Sequence, residues 1–350
     1  MITEKTSFME IPQQQRIREL WRMVGDTPLI ELRYRLSGRE GRVLVKCEHY
    51  NLTGSIKDRM ALYILEQAYA SGLLSGGELI AEATSGNTGI AFAAIGRALG
   101  HPVRIFMPDW MSRERKDIIK SYGAEVIPVS KAEGGFLGSI RMAEELGKQP
   151  GVFLPRQFEN RFNVEAHEKT TGREIGHLTL LRDIRPAAFV AGVGTGGTVM
   201  GVGNYLRRLY PDIRVHPLEP LESPTLSTGH KIGSHRIQGI SDEFIPEIVR
   251  LKELDRIIQV SDGDAILMAQ ALGRNLGLAV GISSGANLLG AIKVQQELKT
   301  DSPVITVFAD SNKKYLTTDL VREEPLRANY LSPQVELLGF TPLEKADMKN

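Results

Sequence analysis

Four short segments combine residue types that could grip an anion and carry out covalent chemistry, and the first centres on a lysine. Gly54-Ser55-Ile56-Lys57-Asp58-Arg59 runs directly into the helical pattern MALYILEQAYASG, which puts Lys57 in the first turn of a predicted helix. Helix N-termini favour anions and disfavour cations, so an ammonium there is poorly accommodated and its pKa is expected to fall. A depressed lysine is what Schiff-base chemistry requires. The competing interpretation is a surface lysine paired with Asp58, and this segment alone leaves both open.

The second segment, Thr84-Ser85-Gly86-Asn87-Thr88-Gly89, sits between the apolar run ELIAEA and the predicted helix IAFAAIGRALG. Hydroxyls, an amide and backbone N–H groups at a helix start make a site for a carboxylate or a phosphate. A single capping hydroxyl would satisfy the helix; three hydroxyls and an asparagine exceed that need, so Thr84, Ser85, Gly86, Asn87 and Thr88 are candidate ligand contacts. The third, Gly192-Val193-Gly194-Thr195-Gly196-Gly197-Thr198, follows the strand pattern PAAFVA and opens another helix. Its glycines let backbone close around a phosphate facing the helix dipole. Gly192, Gly194 and Gly197 also fit a nicotinamide-dinucleotide fingerprint, with Glu219 as the later acid. Against that, the motif lies in mid-chain, and the hydroxyls of Thr195 and Thr198 suit a terminal phosphate. The fourth, Gly281-Ile282-Ser283-Ser284-Gly285, matches a hydrolase nucleophile elbow, yet all seven histidines precede Ser283, whereas that chemistry expects one after it.

These segments need a scaffold of parallel strands and crossover helices. From residue 40 onward, short β-rich runs alternate with amphipathic stretches, the pattern of an α/β protein. Predicted strands are 43–47, 103–107, 125–129, 187–191, 214–218, 256–260 and 304–309. Length and the polar interruption RQFENRFNVEAHEK suggest an N-terminal domain of residues 1–160 whose early strands may cross over, a second domain of 161–325 carrying the glycine loop, and a tail of 326–350. A hydrophobic content of 42% is enough for two cores.

Charge excludes several partners. Lys and Arg number 43 against 42 Asp and Glu, so no field would draw nucleic acid or an anionic membrane. The lone Cys47 rules out an internal disulfide framework and a cysteine-based zinc cage, and no metal is expected. No apolar run reaches the length of a membrane span, and the N-terminal residues are too polar and acidic for a signal peptide, so a cytoplasmic location is expected.

Taken in order, GSIKDR, TSGNTG, GTGGT and GISSGA resemble the fold-type-II pyridoxal-phosphate enzymes, and within them the cysteine synthase (O-acetylserine sulfhydrylase) and cystathionine β-synthase branch. VGDTPLIEL, HEKTTGREI and HRIQGI extend the resemblance from about Val24 to Leu320. It implies two doubly wound α/β domains with mostly parallel sheets, similar to the tryptophan synthase β subunit, pyridoxal 5'-phosphate as cofactor, and a homodimer. It implies that Lys57 forms the Schiff base and moves the α-proton, and that Gly194, Thr195, Gly196, Gly197 and Thr198 hold the cofactor phosphate. Asn87 would bond the pyridine 3′-oxygen, Ser283 would face the ring nitrogen, and Thr84, Ser85, Thr88 and Gln157 would bind the substrate carboxylate. The implied reaction passes through an aminoacrylate, with acetate leaving and sulfide adding in a cysteine synthase.

One segment departs from the family pattern. After IQGI the chain reads Gly239-Ile240-Ser241-Asp242-Glu243, where relatives usually carry small residues. Asp242 or Glu243 could repel hydrosulfide, or act as a base toward water. The alternative function is then a lyase that releases sulfide from cysteine and forms serine, with Gly239 beside the substrate. Solvent-facing acids on a charged loop are equally consistent with the sequence. Cystathionine β-synthase, a nicotinamide-dependent dehydrogenase and a catalytically idle scaffold complete the alternatives; retention of Lys57 and the glycine loop argues against the last.

Overall fold

The computed structural model describes residues 11–241 and 243–343. Its strands in chain order are β1 (Leu29–Leu36), β2 (Arg39–Cys47), β3 (Leu79–Ala83), β4 (Val103–Pro108), β5 (Glu125–Val129), β6 (Val152–Phe153), β7 (Ala188–Gly192), β8 (Arg214–Pro220), β9 (Ile258–Val260), β10 (Val304–Phe308) and β11 (Val335–Pro342). Its helices are α1 (Gln13–Trp21), α2 (Lys57–Ala70), α3 (Asn87–Ala98), α4 (Arg113–Ser121), α5 (Gly135–Leu146), α6 (Arg161–Ala166), α7 (Arg173–Leu181), α8 (Gly197–Leu209), α9 (Thr225–Thr228), α10 (Asp262–Leu276) and α11 (Ile282–Leu298). A π-helical turn, His167–Gly172, joins α6 to α7. The chain is mixed α/β with mostly parallel sheets, and it divides into two compact units.

The smaller unit comprises residues 11–25, 51–53 and 57–156. Its sheet, in the order β5-β4-β3-β6, is parallel throughout. Parallel pairing places a helix between successive strands, and small residues at the crossings let these helices lie close. A Cβ added to Gly89 of α3 would stand 2.8 Å from Thr84 Cγ2, and one on Gly96 2.8 Å from Val103 Cγ2. Ala81, Ala83, Phe106, Val129 and Ala143 form a buried cluster on this sheet.

The larger unit comprises residues 26–50, 54–56 and 157–343. Its seven strands run β11-β1-β2-β10-β7-β8-β9. The central strand β10 is buried at every position, the continuous apolar run expected of a strand covered on both faces. Here the division of the chain differs from blocks 1–160 and 161–325. Strands β1 and β2 form an antiparallel hairpin, and β2 joins β10 in parallel. The segment expected as a tail after 325 also differs, because Val335–Pro342 pairs antiparallel with β1. The alternation of LIELRYRL buries Ile30, Leu32, Tyr34 and Leu36 on one face of β1.

Helix α10 closes on Gly277, left-handed at φ 69°, whose N–H and that of Leu278 turn back to the carbonyls of Gly273 and Leu272. Along α11, Gly285 lies so close to α10 that an added Cβ would be 2.2 Å from the Ala265 carbonyl oxygen. Among the described residues no helix is long and apolar enough to cross a membrane.

Candidate active site

In the smaller unit, Lys57 is the first residue of α2 and is half-buried. Asp58 is fully buried and accepts from the Thr53 amide at 2.6 Å and from the Thr53 hydroxyl. That closes the turn ahead of α2. The residues before Lys57 are held equally firmly within the larger unit. The Ile56 amide donates to the Ala309 carbonyl at 2.8 Å, the Ser311 amide to the Gly54 carbonyl at 3.2 Å, and the buried Lys314 ammonium to the same carbonyl at 3.2 Å.

The second segment turns from β3 into α3. The N-cap of this helix is Gly86, which has no side chain to cap with. Of the TSGNTG hydroxyls, that of Thr84 serves this helix start. Thr84 accepts the Gly86 amide at 3.0 Å and is buried with Thr88, while Ser85 and Asn87 are half-buried. The Gly86 position has a steric basis, since an added Cβ would meet the buried Arg115 side chain at 2.5 Å.

In the larger unit, β7 ends in the glycine loop and α8 starts from Gly196, left-handed at φ 88° and again without a side-chain cap. Each glycine is required by a neighbour. An added Cβ would lie 2.5 Å from the Gly239 carbonyl oxygen at Gly194, 2.1 Å from Val249 Cγ2 at Gly196, and 2.0 Å from Asn163 Oδ1 at Gly197. Backbone this crowded at the start of a thirteen-residue helix fits the glycine loops that hold phosphate. The Thr195 hydroxyl accepts from Asn163 at 2.9 Å, and the Thr198 hydroxyl lies 3.5 Å from His167 Nε2.

Ser283 occupies the first turn of α11, is 4% exposed, and its hydroxyl has no hydrogen-bond partner among the described residues. Its neighbour Ser284 is spoken for, accepting the Ala309 amide at 3.0 Å. A hydroxyl not engaged by the protein in the first turn of a helix is free to meet a ligand atom. The donor set therefore fits pyridoxal phosphate: a crowded glycine loop at a helix start for the phosphate, and a neutral hydroxyl for a ring nitrogen. Glu219 does not serve a nicotinamide ribose. It is fully buried and accepts from Leu226 at 2.8 Å, Ser227 at 3.3 Å and Gln259 at 3.0 Å.

The segment that departs from the family pattern lies on the glycine loop. Gly239 is left-handed at φ 93°, and Ser241, although not glycine, is left-handed at φ 57°. Ser241 is held there from three sides: its amide donates to the Val193 carbonyl at 2.7 Å, its hydroxyl to the Ser223 carbonyl at 2.9 Å, and its carbonyl accepts from His235 at 3.0 Å. Burial keeps the His235 pKa below the usual histidine value, so the ring that makes this bond is neutral at pH 7. Asp242 lies outside the described residues. Glu243 forms an ion pair with Lys231 at 3.3 Å. Gln157 is buried, and its carbonyl accepts from Asn163 at 2.8 Å.

Sequence reasoning missed three supports of the loop: Asn163, His167 and Asn287. Buried Asn287 accepts the Gly192 amide and donates to the Val307 carbonyl, both at 2.8 Å, tying the ends of β7 and β10 together.

Residues 20–310 match the model of the pyridoxal-phosphate dependent enzyme family. The chain is similar to the probable cysteine synthase of Bacillus subtilis (strain 168), at 42% identity over 85% of this chain and 96% of that protein. It is similar to the crystal structure of a hydrogen sulfide-producing enzyme from Fusobacterium nucleatum, at 52% identity and a TM-score of 0.91, covering 94% of this chain and 99% of that one. A mutant of a hydrogen sulfide-producing enzyme in complex with an α-aminoacrylate intermediate is 54% identical, with a TM-score of 0.91 over 93% of this chain and 97% of that one.

Proposed function

The chain belongs to the pyridoxal-phosphate dependent enzymes, and on that premise we propose that it exchanges the β-substituent of a small amino acid, as a cysteine synthase converting O-acetylserine and sulfide to cysteine and acetate. The bound cofactor supplies the electron sink that loosens the bonds around Cα. Lys57 holds the cofactor and moves the proton at Cα. Gly194, Thr195, Gly196, Gly197 and Thr198 bind its phosphate, and Asn87 orients the ring at its 3′-oxygen. The Ser283 hydroxyl leaves the ring nitrogen unprotonated, which favours loss of a β-substituent over a long-lived carbanion. Thr84, Ser85, Gly86, Thr88 and Gln157 bind the α-carboxylate. Likeness to the Bacillus subtilis cysteine synthase along nearly its whole length carries the choice of reaction. The enzyme is proposed to work in the cytoplasm as a homodimer.

A second direction is favoured by one observation: the hydrogen sulfide-producing enzyme of Fusobacterium nucleatum is more similar in sequence than the cysteine synthase. Cysteine would then be the substrate; sulfide leaves, water adds at the β carbon, and serine forms. Asp242 or Glu243 would be the base that activates this water.

The test is the visible spectrum of the purified protein alone, with O-acetylserine and with cysteine, with sulfide and serine assayed in parallel. A band that shifts with O-acetylserine and returns on adding sulfide is expected of the synthase. Sulfide and serine released from cysteine, and lost in Asp242→Asn or Glu243→Gln, would move the assignment to the lyase. Absence of a cofactor band after pyridoxal phosphate is supplied would sink the role of Lys57.

A further inference from the structure

We propose that Asn163 is a positioning residue that joins the substrate-carboxylate segment to the phosphate loop, so that amino acid and cofactor are gripped by one hydrogen-bonded assembly. Asn163 is fully buried in α6, whose first turn is capped by Asn160 accepting from the Phe162 amide at 3.0 Å. From there its amide nitrogen donates to two groups at once, the Gln157 carbonyl at 2.8 Å and the Thr195 hydroxyl at 2.9 Å. The orientation of the amide follows from the partners, because the Gln157 carbonyl can only accept. Its oxygen lies against Gly197, where an added Cβ would be 2.0 Å away.

A second bridge runs over the same two segments. Phe244 packs edge-on against Phe158, next to Gln157, with ring centroids 5.2 Å apart, and the Ile248 amide donates to the Phe158 carbonyl at 3.3 Å. At its other end that stretch touches Gly194 and Gly196 through Gly239 and Val249. The phosphate loop and residues 157–158 are therefore braced twice, and Asn163 does so through a side-chain hydrogen bond to Thr195 itself. The inference rests on assigning Gly194–Thr198 to the cofactor phosphate and Gln157 to the substrate carboxylate.

The experiment compares Asn163→Ala and Asn163→Asp with the wild type, using Gly196→Ala as a control on the loop. Measured quantities are the dissociation constant of pyridoxal phosphate from the protein, the ³¹P resonance of the bound phosphate, and KM and kcat. Loss of one buried hydrogen bond corresponds to about a tenfold weaker cofactor. The expected result is that loss with a displaced ³¹P resonance, and a raised KM with a smaller change in kcat. Wild-type affinity and resonance in both Asn163 variants overturn the inference while leaving the loop assignment intact, provided Gly196→Ala weakens binding. If Gly196→Ala also changes nothing, the loop assignment falls with it. Should Asn163→Ala not fold, Asn163→Asp keeps the shape, loses both donors and adds a charge that can only weaken phosphate binding further, so wild-type values there overturn the inference alone.

Discussion

Substituting Gly196 by alanine probes the glycine loop through two separate costs that can be worked out beforehand. The backbone at this position is left-handed, φ 88°, which costs an L-residue about 1–2 kcal/mol. The new methyl would also sit 2.1 Å from Val249 Cγ2, a buried side chain that is stiff about χ1 and cannot swing aside. Overpacking of this kind costs about 1–3 kcal/mol. The sum, about 2–5 kcal/mol, corresponds to roughly 30-fold to several thousandfold weaker cofactor binding if it falls on the closed loop. Titrating the apoprotein with pyridoxal phosphate measures it. The double variant Gly196→Ala/Val249→Ala removes the clashing atom and retains only the backbone cost, so its affinity should return to within about 30-fold of wild type. A double variant no better than the single one would refute the steric account.

Three further outcomes are expected. Cys47 is buried, and burial pushes its thiol up to about 12, so it should resist maleimide at pH 8 in the folded protein and react once denatured; fast native labelling would contradict its placement. Lys46 is 1% exposed and pairs with Glu174 at 2.7 Å; Lys46→Met removes the cationic partner of a carboxylate that keeps the Asp26 amide and should cost about 1–3 kcal/mol in urea melts, with part of the loss recovered in Lys46→Met/Glu174→Gln. Asp262 is raised to about 6, first by burial and then by the neighbouring Glu222, so the folded state keeps a proton that the unfolded chain gives up near pH 4. Stability relative to Asp262→Asn should therefore be greatest below pH 4 and fall as pH rises to 6; melting temperatures that diverge the other way would refute this.

The legible parts of the sequence were those where a local rule has one physical cause. Glycines at Gly86, Gly194, Gly196 and Gly197 mark strand-to-helix turns because no side chain fits there. The run Glu125–Val129 is a strand with those very bounds. What stayed hidden was long-range. Nothing near LIELRYRL says that its hairpin joins a strand roughly 260 residues later, because the pairing is decided by which edge of β10 remains open. A lone asparagine in RFNVEA likewise carries no local signal; Asn163 matters only because the fold brings Gln157 and Thr195 to either side of its amide. Spacing alone also left Glu219 available to a ribose, until its carboxylate proved filled by backbone donors.

The pairing of β2 with β10 also sets an order of events during synthesis. Val43–Cys47 must wait for Val304–Phe308 before its parallel neighbour exists, while the sheet β5-β4-β3-β6 is complete once Phe153 has emerged. At about 5–20 residues per second, the hairpin of β1 and β2 spends on the order of 10–50 s with its open edge unsatisfied on a translating ribosome. Nascent chains stalled before residue 304 should thus protect the smaller sheet from proteolysis and leave residues 29–47 open to cleavage.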